Sequence, residues 1–440
     1  MKNRIRRHRK ALKSHLYIGL VSLAVGTANL HSQSGLEDQA QSLATQDIVG
    51  PYIAEALQNN PGLQAADNRY LAAKQSIESV GALPNPKIQL THFVESIQTR
   101  TGPQEQALML QQPIPWLGKL NSKRDIARSK SEALWHAYTN QQFTLVDSVS
   151  RQVLEIAFLE KAVAITNENI ELLRRLESIV EDKVKAGGQL GDLLRLQVET
   201  QRFEDLAAKQ DTSRTAAVAT LHALVGRSST PSFPEFDWSV PSEIQADSRQ
   251  WLEAIPERSP QIAMLRSLES SQVARERLAN FASKPDFSVG LNYIRTGDAL
   301  SPSTPDSGKD PWALMVGVSL PIWGKANNAL SIQASLEKEA LNAQIKDLEL
   351  KLLGEGRAWI AKLEDAQKRI RRYETSLLPL ARQSQEITES AYQSGKASIS
   401  DLIDSERQLL KLETEYWRAA ADAWQARWKL ASLTGGLWLN

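Results

Sequence analysis

Residues Lys119–Ala186 read KLNSKRDIARSKSEALWHAYTNQQFTLVDSVSRQVLEIAFLEKAVAITNENIELLRRLESIVEDKVKA, with neither proline nor glycine. Apolar side chains return every three or four positions: Leu145, Val149, Val153, Ile156, Val163, Ile170, Leu173, Val180 and Val184. That period predicts an amphipathic helix. At 1.5 Å per residue the run makes a rod of roughly 100 Å. A periodic run of this length implies a coiled coil, a membrane span or a helical repeat. Glu155, Glu160, Lys161, Glu168, Glu171, Arg174 and Arg175 exclude the membrane span. The rod must therefore pack lengthwise against other helices.

The 440 residues carry a net charge of +1, unevenly spread. Lys2, Arg4, Arg6, Arg7, Arg9, Lys10 and Lys13 precede the first acid, Glu37. An apolar run from Leu16 to Val25 and small residues at Gly26, Thr27 and Ala28 follow, the pattern of a signal peptide, with cleavage expected after Ala28. The apolar run is too short to span a bilayer. Loss of those seven cations takes the charge from +1 to about −6, which argues against nucleic acid as a partner. There is no cysteine, so disulfides, thiolate metal sites and lipidation on cysteine are excluded.

Outward from the rod, the chain repeats. Residues 29–50 are a polar, loose segment. A first unit spans 51–226, residues 227–247 form a proline-bearing connector, and a second unit spans 248–436. Each unit has a helical stretch broken by a proline (Pro61, Pro260), a proline stop (Pro84 and Pro86, Pro285) and two short alternating runs. Each then has a strand–helix junction, Pro115-Trp116-Leu117-Gly118-Lys119 or Pro321-Ile322-Trp323-Gly324-Lys325. A long helix follows, from Lys119 or from Ala326 to Gln393, the latter kinked at Pro379. A glycine turn, Gly187-Gly188 or Gly395-Lys396, leads to a last helix opening on Asp192-Leu193-Leu194 or Asp401-Leu402-Ile403. A period of about 200 residues marks a duplicated half-domain, since solenoid periods are roughly 20–50 residues. In each unit the two shorter helices together match the long one in length, so they stack end to end beside it.

The alternating runs decide the architecture. Phe287–Tyr293 and Trp312–Leu320 alternate cleanly; Lys87–Val94 and Ala107–Gln111 do so less, with His92, Glu95, Gln111 and Gln112 diluting the apolar face. A polar loop is expected around Thr99–Gln104. About ten residues is the length of a tilted transmembrane strand, and aromatics belong at its ends, as Tyr293, Trp312, Trp116 and Trp323 are. Four strands leave two open edges, which lipid does not tolerate. Three copies supply twelve strands and close a barrel.

On the duplicated order, the two junctions and the glycine turns followed by Asp-Leu-Leu or Asp-Leu-Ile, residues 50–436 resemble the TolC-like outer-membrane factors. The resemblance implies a mainly helical protein with a small transmembrane β part. As a homotrimer it would form a twelve-stranded β-barrel in outer-membrane lipid, continuous with a twelve-helix α-barrel across the periplasm of a Gram-negative cell. It implies a passive duct, not an enzyme, needing no cofactor. Its partners would be a periplasmic adaptor (a membrane fusion protein) and an inner-membrane pump of the resistance-nodulation-division type. The junctions look most like the heavy-metal efflux branch, so metal cations are an expected cargo. Pro115, Trp116, Gly118, Pro321, Trp323 and Gly324 would mark where strand becomes helix.

The resemblance also assigns the far end. Asp401 and Asp404 match the acidic ring of the periplasmic entrance; three copies would set six carboxylates round one pore, favouring cations. Ser398-Ile399-Ser400-Asp401 equally fits a capping box, which does not account for Asp404. Asp192 and Tyr392 match members of the closed-state latch, with Lys396 beside the basic position, where Ala397 stands. Gly187, Gly188 and Gly395 match the tips on which the adaptor docks, and are also ordinary helix C-caps. Enzyme readings find no support: Gly118-Lys119 and Gly324-Lys325 lack phosphate-loop spacing, and His31, His92, His136 and His222 have no ligand spacing. Two other readings remain, a periplasmic coiled-coil adaptor or scaffold with soluble hairpins, and the exit duct of a type I secretion system.

Overall fold

The structure, a computed structural model, describes residues 48–228, 238–241, 248–301 and 303–436. The signal peptide and its cleavage point, and most of the connector, lie outside the described residues.

Asn60 separates α1 (Gly50–Asn59) from α2 (Pro61–Val80), its side chain accepting the Leu63 amide at 2.9 Å while Pro61 opens the next turn. β1 (Lys87–Thr99) and β2 (Gly102–Ile114) make a hairpin. α3 (Leu117–Lys185) is one helix of 69 residues, ~100 Å long. α4 (Leu190–Val225) returns beside it. The second unit repeats the order: α5 (Ser248–Arg258), α6 (Pro260–Asn280), β3 (Asp286–Thr296), β4 (Trp312–Ser319), α7 (Gly324–Arg372), α8 (Leu378–Gln393) and α9 (Ile399–Leu433).

Between α7 and α8 lies a single π turn, Tyr373–Leu377. Pro379 lacks the amide that would continue the ladder, and the widened turn takes up the defect without breaking the rod.

Helices α3 and α7–α8 run the length of the molecule. Next to the sheet the order across is α2, α3, α6, α7; at the other end it is α4, α3, α9, α8. The short helices meet end to end: the Asn60 side chain donates to Leu224 O at 2.9 Å, and Arg227 clamps Glu55. The core is distributed along the rods rather than gathered in one place. Val149, Val153, Ile156, Leu221 and Trp428 fill the middle. Ile170, Leu173, Leu196, Phe203, Ile399 and Leu402 fill the far end. Ala419, Ala420, Ala421, Ala423 and Ala426 are buried and let α9 lie close to its neighbours.

The sheet is antiparallel, in order β1-β2-β3-β4. Its register places Ile88, Leu90, Leu108, Leu110, Phe287, Val289, Leu291, Leu314, Val316 and Val318 on one face, all exposed. The other face carries Gln89, Met109, Gln111, Ser288, Gly290, Asn292, Ala313 and Gly317. Gln111 thus does not dilute the apolar face: it belongs to the polar one, donating to Ser288 Oγ at 3.0 Å. The first pair is longer than its sequence suggests. Thirteen residues run on each side, and the expected loop around Thr99–Gln104 shrinks to a turn at Arg100–Thr101.

Candidate functional site: the helical tip and the strand–helix junctions

At the far end, both glycine turns are left-handed. Gly187 has φ +100° and Gly395 φ +74°, and a Cβ on either would meet nothing within 4 Å. Gly188 lies tighter, its amide donating to Lys183 O at 2.8 Å; Lys396 N donates to Ala391 O at 2.8 Å in the same manner. These are C-caps of the Schellman kind, which satisfy the last carbonyls of α3 and α8. They leave two bare tips.

The capping box at α9 is fully formed. Asp401 N donates to Ser398 Oγ at 3.2 Å, and Asp401 Oδ2 accepts from Ser398 N and Oγ at 2.9 and 2.7 Å. Those bonds hold the Asp401 carboxyl below the usual carboxylate range. Asp404, one turn on, is 73% exposed and lies 3.3 Å from Arg407 Nη1.

Arg407 is the residue that the sequence did not single out. Its Nε donates to Glu199 Oε1 at 2.6 Å, and Nη2 to the other oxygen, so one guanidinium grips one carboxylate with two bonds. The Glu199 side chain is only 3% exposed. A few ångströms along, Arg195 Nη1 donates to Ser400 Oγ at 3.2 Å. Together these ties join α4 to α9, the last helices of the two units. They line an open groove of about 380 Å³ with Leu194, Val198 and Ile403.

Tyr392 is buried at the end of α8, with Lys183 Nζ 4.1 Å from its ring centre. Burial, and then the field of Asp192, push its hydroxyl pKa up. Asp192 lies near enough for its charge to act on that hydroxyl. Lys396 is exposed and forms no ion pair with Asp192; the cation at the tyrosine is Lys183, from the first unit.

At the junctions the two units differ. Trp116 stacks on Phe287, ring centres 6.2 Å apart, and its amide donates to Asp286 Oδ1 at 2.8 Å. Lys119 Nζ reaches the same oxygen at 2.8 Å. Gly118 lies under the Phe281 ring, where a Cβ would sit 2.4 Å from ring carbons. Pro115 is half-buried there. Pro321 ends β4 in the second unit, but Ile322 and Trp323 are 71% and 74% exposed and Gly324 has open space around it.

Among the described residues no group of three or more His, Asp or Glu side chains could hold a metal ion, and no helix is long and apolar enough to cross a membrane.

The chain is a duplicated helical rod carrying a four-stranded sheet with one exposed, largely apolar face. The profile of the outer membrane efflux protein family matches residues 52–227 and 251–436, and the chain belongs to that family. It is a passive channel protein of the outer membrane, extending into the periplasm, and not an enzyme. The chain is 22% identical over 348 residues to the pyoverdine export outer membrane protein OpmQ of Pseudomonas putida, covering 74% of this chain and 69% of that protein. The fold matches the outer membrane protein VceC of Vibrio cholerae with a TM-score of 0.76 at 20% identity, over 90% of this chain and 98% of that one. It matches CusC with a TM-score of 0.74 at 17% identity, over 88% and 92%.

Proposed function

We propose that three copies of this chain form the exit duct of a tripartite efflux system. The duct takes cargo from an inner-membrane pump of the resistance-nodulation-division type, handed on by a periplasmic adaptor docked on the Gly187, Gly188 and Gly395 tips. The observation that carries this reading is the sheet: one largely apolar face, interrupted by His92, Gln106, Gln112 and Arg295, two unpaired edges, and helices of about 100 Å hanging from one end. Each large apolar side chain gains roughly 1.5–3 kcal/mol on leaving water, and a soluble adaptor would have no use for so broad a patch.

In this reading Asp401 and Asp404 ring the entrance, with Asp404 the freer of the two because Asp401 also serves the cap. Asp192 and Tyr392 belong to the closing latch, with Lys183 supplying the charge expected of Lys396. The acidic ring favours metal cations as cargo. The relative named for pyoverdine export supports an organic cargo instead. Deleting the gene and measuring tolerance to metal salts and export of pyoverdine, with and without the intact copy, separates the two. Cation selectivity in planar bilayers tests the ring: it should fall sharply in the Asp401→Ala, Asp404→Ala double variant, and unchanged selectivity would overturn the assignment.

A further inference from the structure

One residue of the sheet marks the lumenal side of the helices. Asp286 shares a strand face with Ser288, Gly290 and Asn292, the polar face, which turns inward when the apolar face meets lipid. Lys119 Nζ reaches the Asp286 carboxylate at 2.8 Å, so the Lys119 side of α3 is the lumenal side. Lys123 and Lys130 lie one and three turns further along α3, within about 40° of Lys119 round the helix.

On that side α2 and α3 enclose an open groove of about 780 Å³, beside the strand–helix junction. Its walls are amphipathic: Val80, Leu83, Leu120 and Leu134 supply the apolar part, Lys123 and Lys130 the charge. No acid lines it, and among the described residues neither lysine forms an ion pair. The serines of the groove turn their protons back onto α2: Ser76 Oγ donates to Ala73 O at 2.7 Å, and Ser79 Oγ to Ser76 O at 3.0 Å. The charged donors facing the cavity are the two ammonium groups. The groove on the opposite side of the same helices is mixed, with Asp67 and Glu132 offsetting Lys74 and Arg128. The positive cavity belongs to the lumenal side alone.

We propose that this groove is a transit site for amphiphilic organic anions. A hydrophobic body lies against Leu83, Leu120 and Leu134, and its carboxylate, sulfonate or phosphate groups meet Lys123 and Lys130. The two lysines stand about 10 Å apart along the helix, so one molecule can span them. Cavities of about 300–1,000 Å³ hold molecules of drug size. An exposed ammonium holds an anion weakly, as transit requires, because cargo that enters must also leave. The inference rests on the trimeric duct reading above and narrows its cargo to the organic alternative. Three copies would ring the upper lumen with these lysines, at the opposite end from Asp401 and Asp404.

The test uses the full-length trimer in planar bilayers, with 1-naphthalenesulfonate as the probe. It is added from the sheet side, so that the helical tip is not in its path. The sulfonate should reduce the single-channel current in a saturable way, and 1-naphthylmethylammonium, a cation with the same ring body, should not. Lys123→Gln together with Lys130→Gln should raise the half-blocking concentration roughly tenfold. Lys123→Glu together with Lys130→Glu should exchange the preference, so that the ammonium blocks and the sulfonate does not. Lys74→Gln, in the opposite groove, should leave the block as in the wild type. Conducting channels that the sulfonate does not block, or blocks equally in every variant, would overturn the site while leaving the duct in place. A wild-type protein that forms no channel would remove the duct reading, and this site with it.

Discussion

Arg407 and Glu199 stand 208 residues apart, and their pairing joins the two units at the tip. Replacing Arg407 by Ala leaves a buried carboxylate with Arg202 as its nearest cation at 3.7 Å, a loss of about 1–3 kcal/mol. A double-mutant cycle with Glu199→Gln, read by thermal unfolding, should return a coupling of that order; additive effects would show the tie to be idle. Because the tie spans α4 and α9, parting those helices must break it, and Arg407→Ala should raise single-channel conductance. Glu406 carries a pH dependence. It is buried on α9, accepts from Gln385 at 2.7 Å, and faces the charges of Glu389 and Glu413. Burial, then the neighbouring carboxylates, push its pKa up, against the pull of the Gln385 bond. An acid with a raised folded pKa contributes most below its unfolded pKa, and that contribution is lost as pH rises through the folded value. The melting temperature should therefore fall as pH rises from the ordinary carboxylate pKa through the raised one, and Glu406→Gln should flatten that slope. Asp401 has the opposite sign: its capping contribution is present above the ordinary carboxylate pKa and disappears as pH falls through the depressed one. The capping box was legible in four adjacent letters, Ser398 to Asp401. The Arg407–Glu199 pair was not, since no local spacing reveals which surface residues of two distant helices will face each other. Lys183 at the Tyr392 ring escaped notice for the same reason.

The helices and junctions were largely readable because a 3.6-residue apolar period over seventy residues has few alternatives. The strands were readable on one side only. β3 and β4 place small or weakly polar residues on the second face, which preserves a clean alternation. In β1 and β2 the polar side chains Gln89 and Gln111 occupy that face, and a linear reading counts them against the strand. The π turn could not be foreseen in kind: Pro379 announces a defect, but whether the helix kinks or widens depends on the packing of Tyr373 and Leu378 against α9. The glycine turns separate two effects. Gly395→Ala meets only the left-handed backbone, costing about 1–2 kcal/mol. Gly226→Ala, at φ +76°, also drives a Cβ to 2.6 Å from Asn59 O and must cost more. Denaturant unfolding of the two variants should rank them in that order, and equal losses would contradict the packing of α4 against α1.

Taken whole, one chain is a stave, a third of a turn of sheet above four rods, built twice from one pattern and finished on neither edge. Its apolar face needs lipid and its edges need copies of itself, and both needs follow from the register of four strands. The direct measurement is the mass and solubility of the purified full-length protein, by sedimentation with and without detergent. The account predicts a particle of three chains that remains in solution only with detergent or lipid bound. A single chain, stable and soluble in plain buffer, would contradict it.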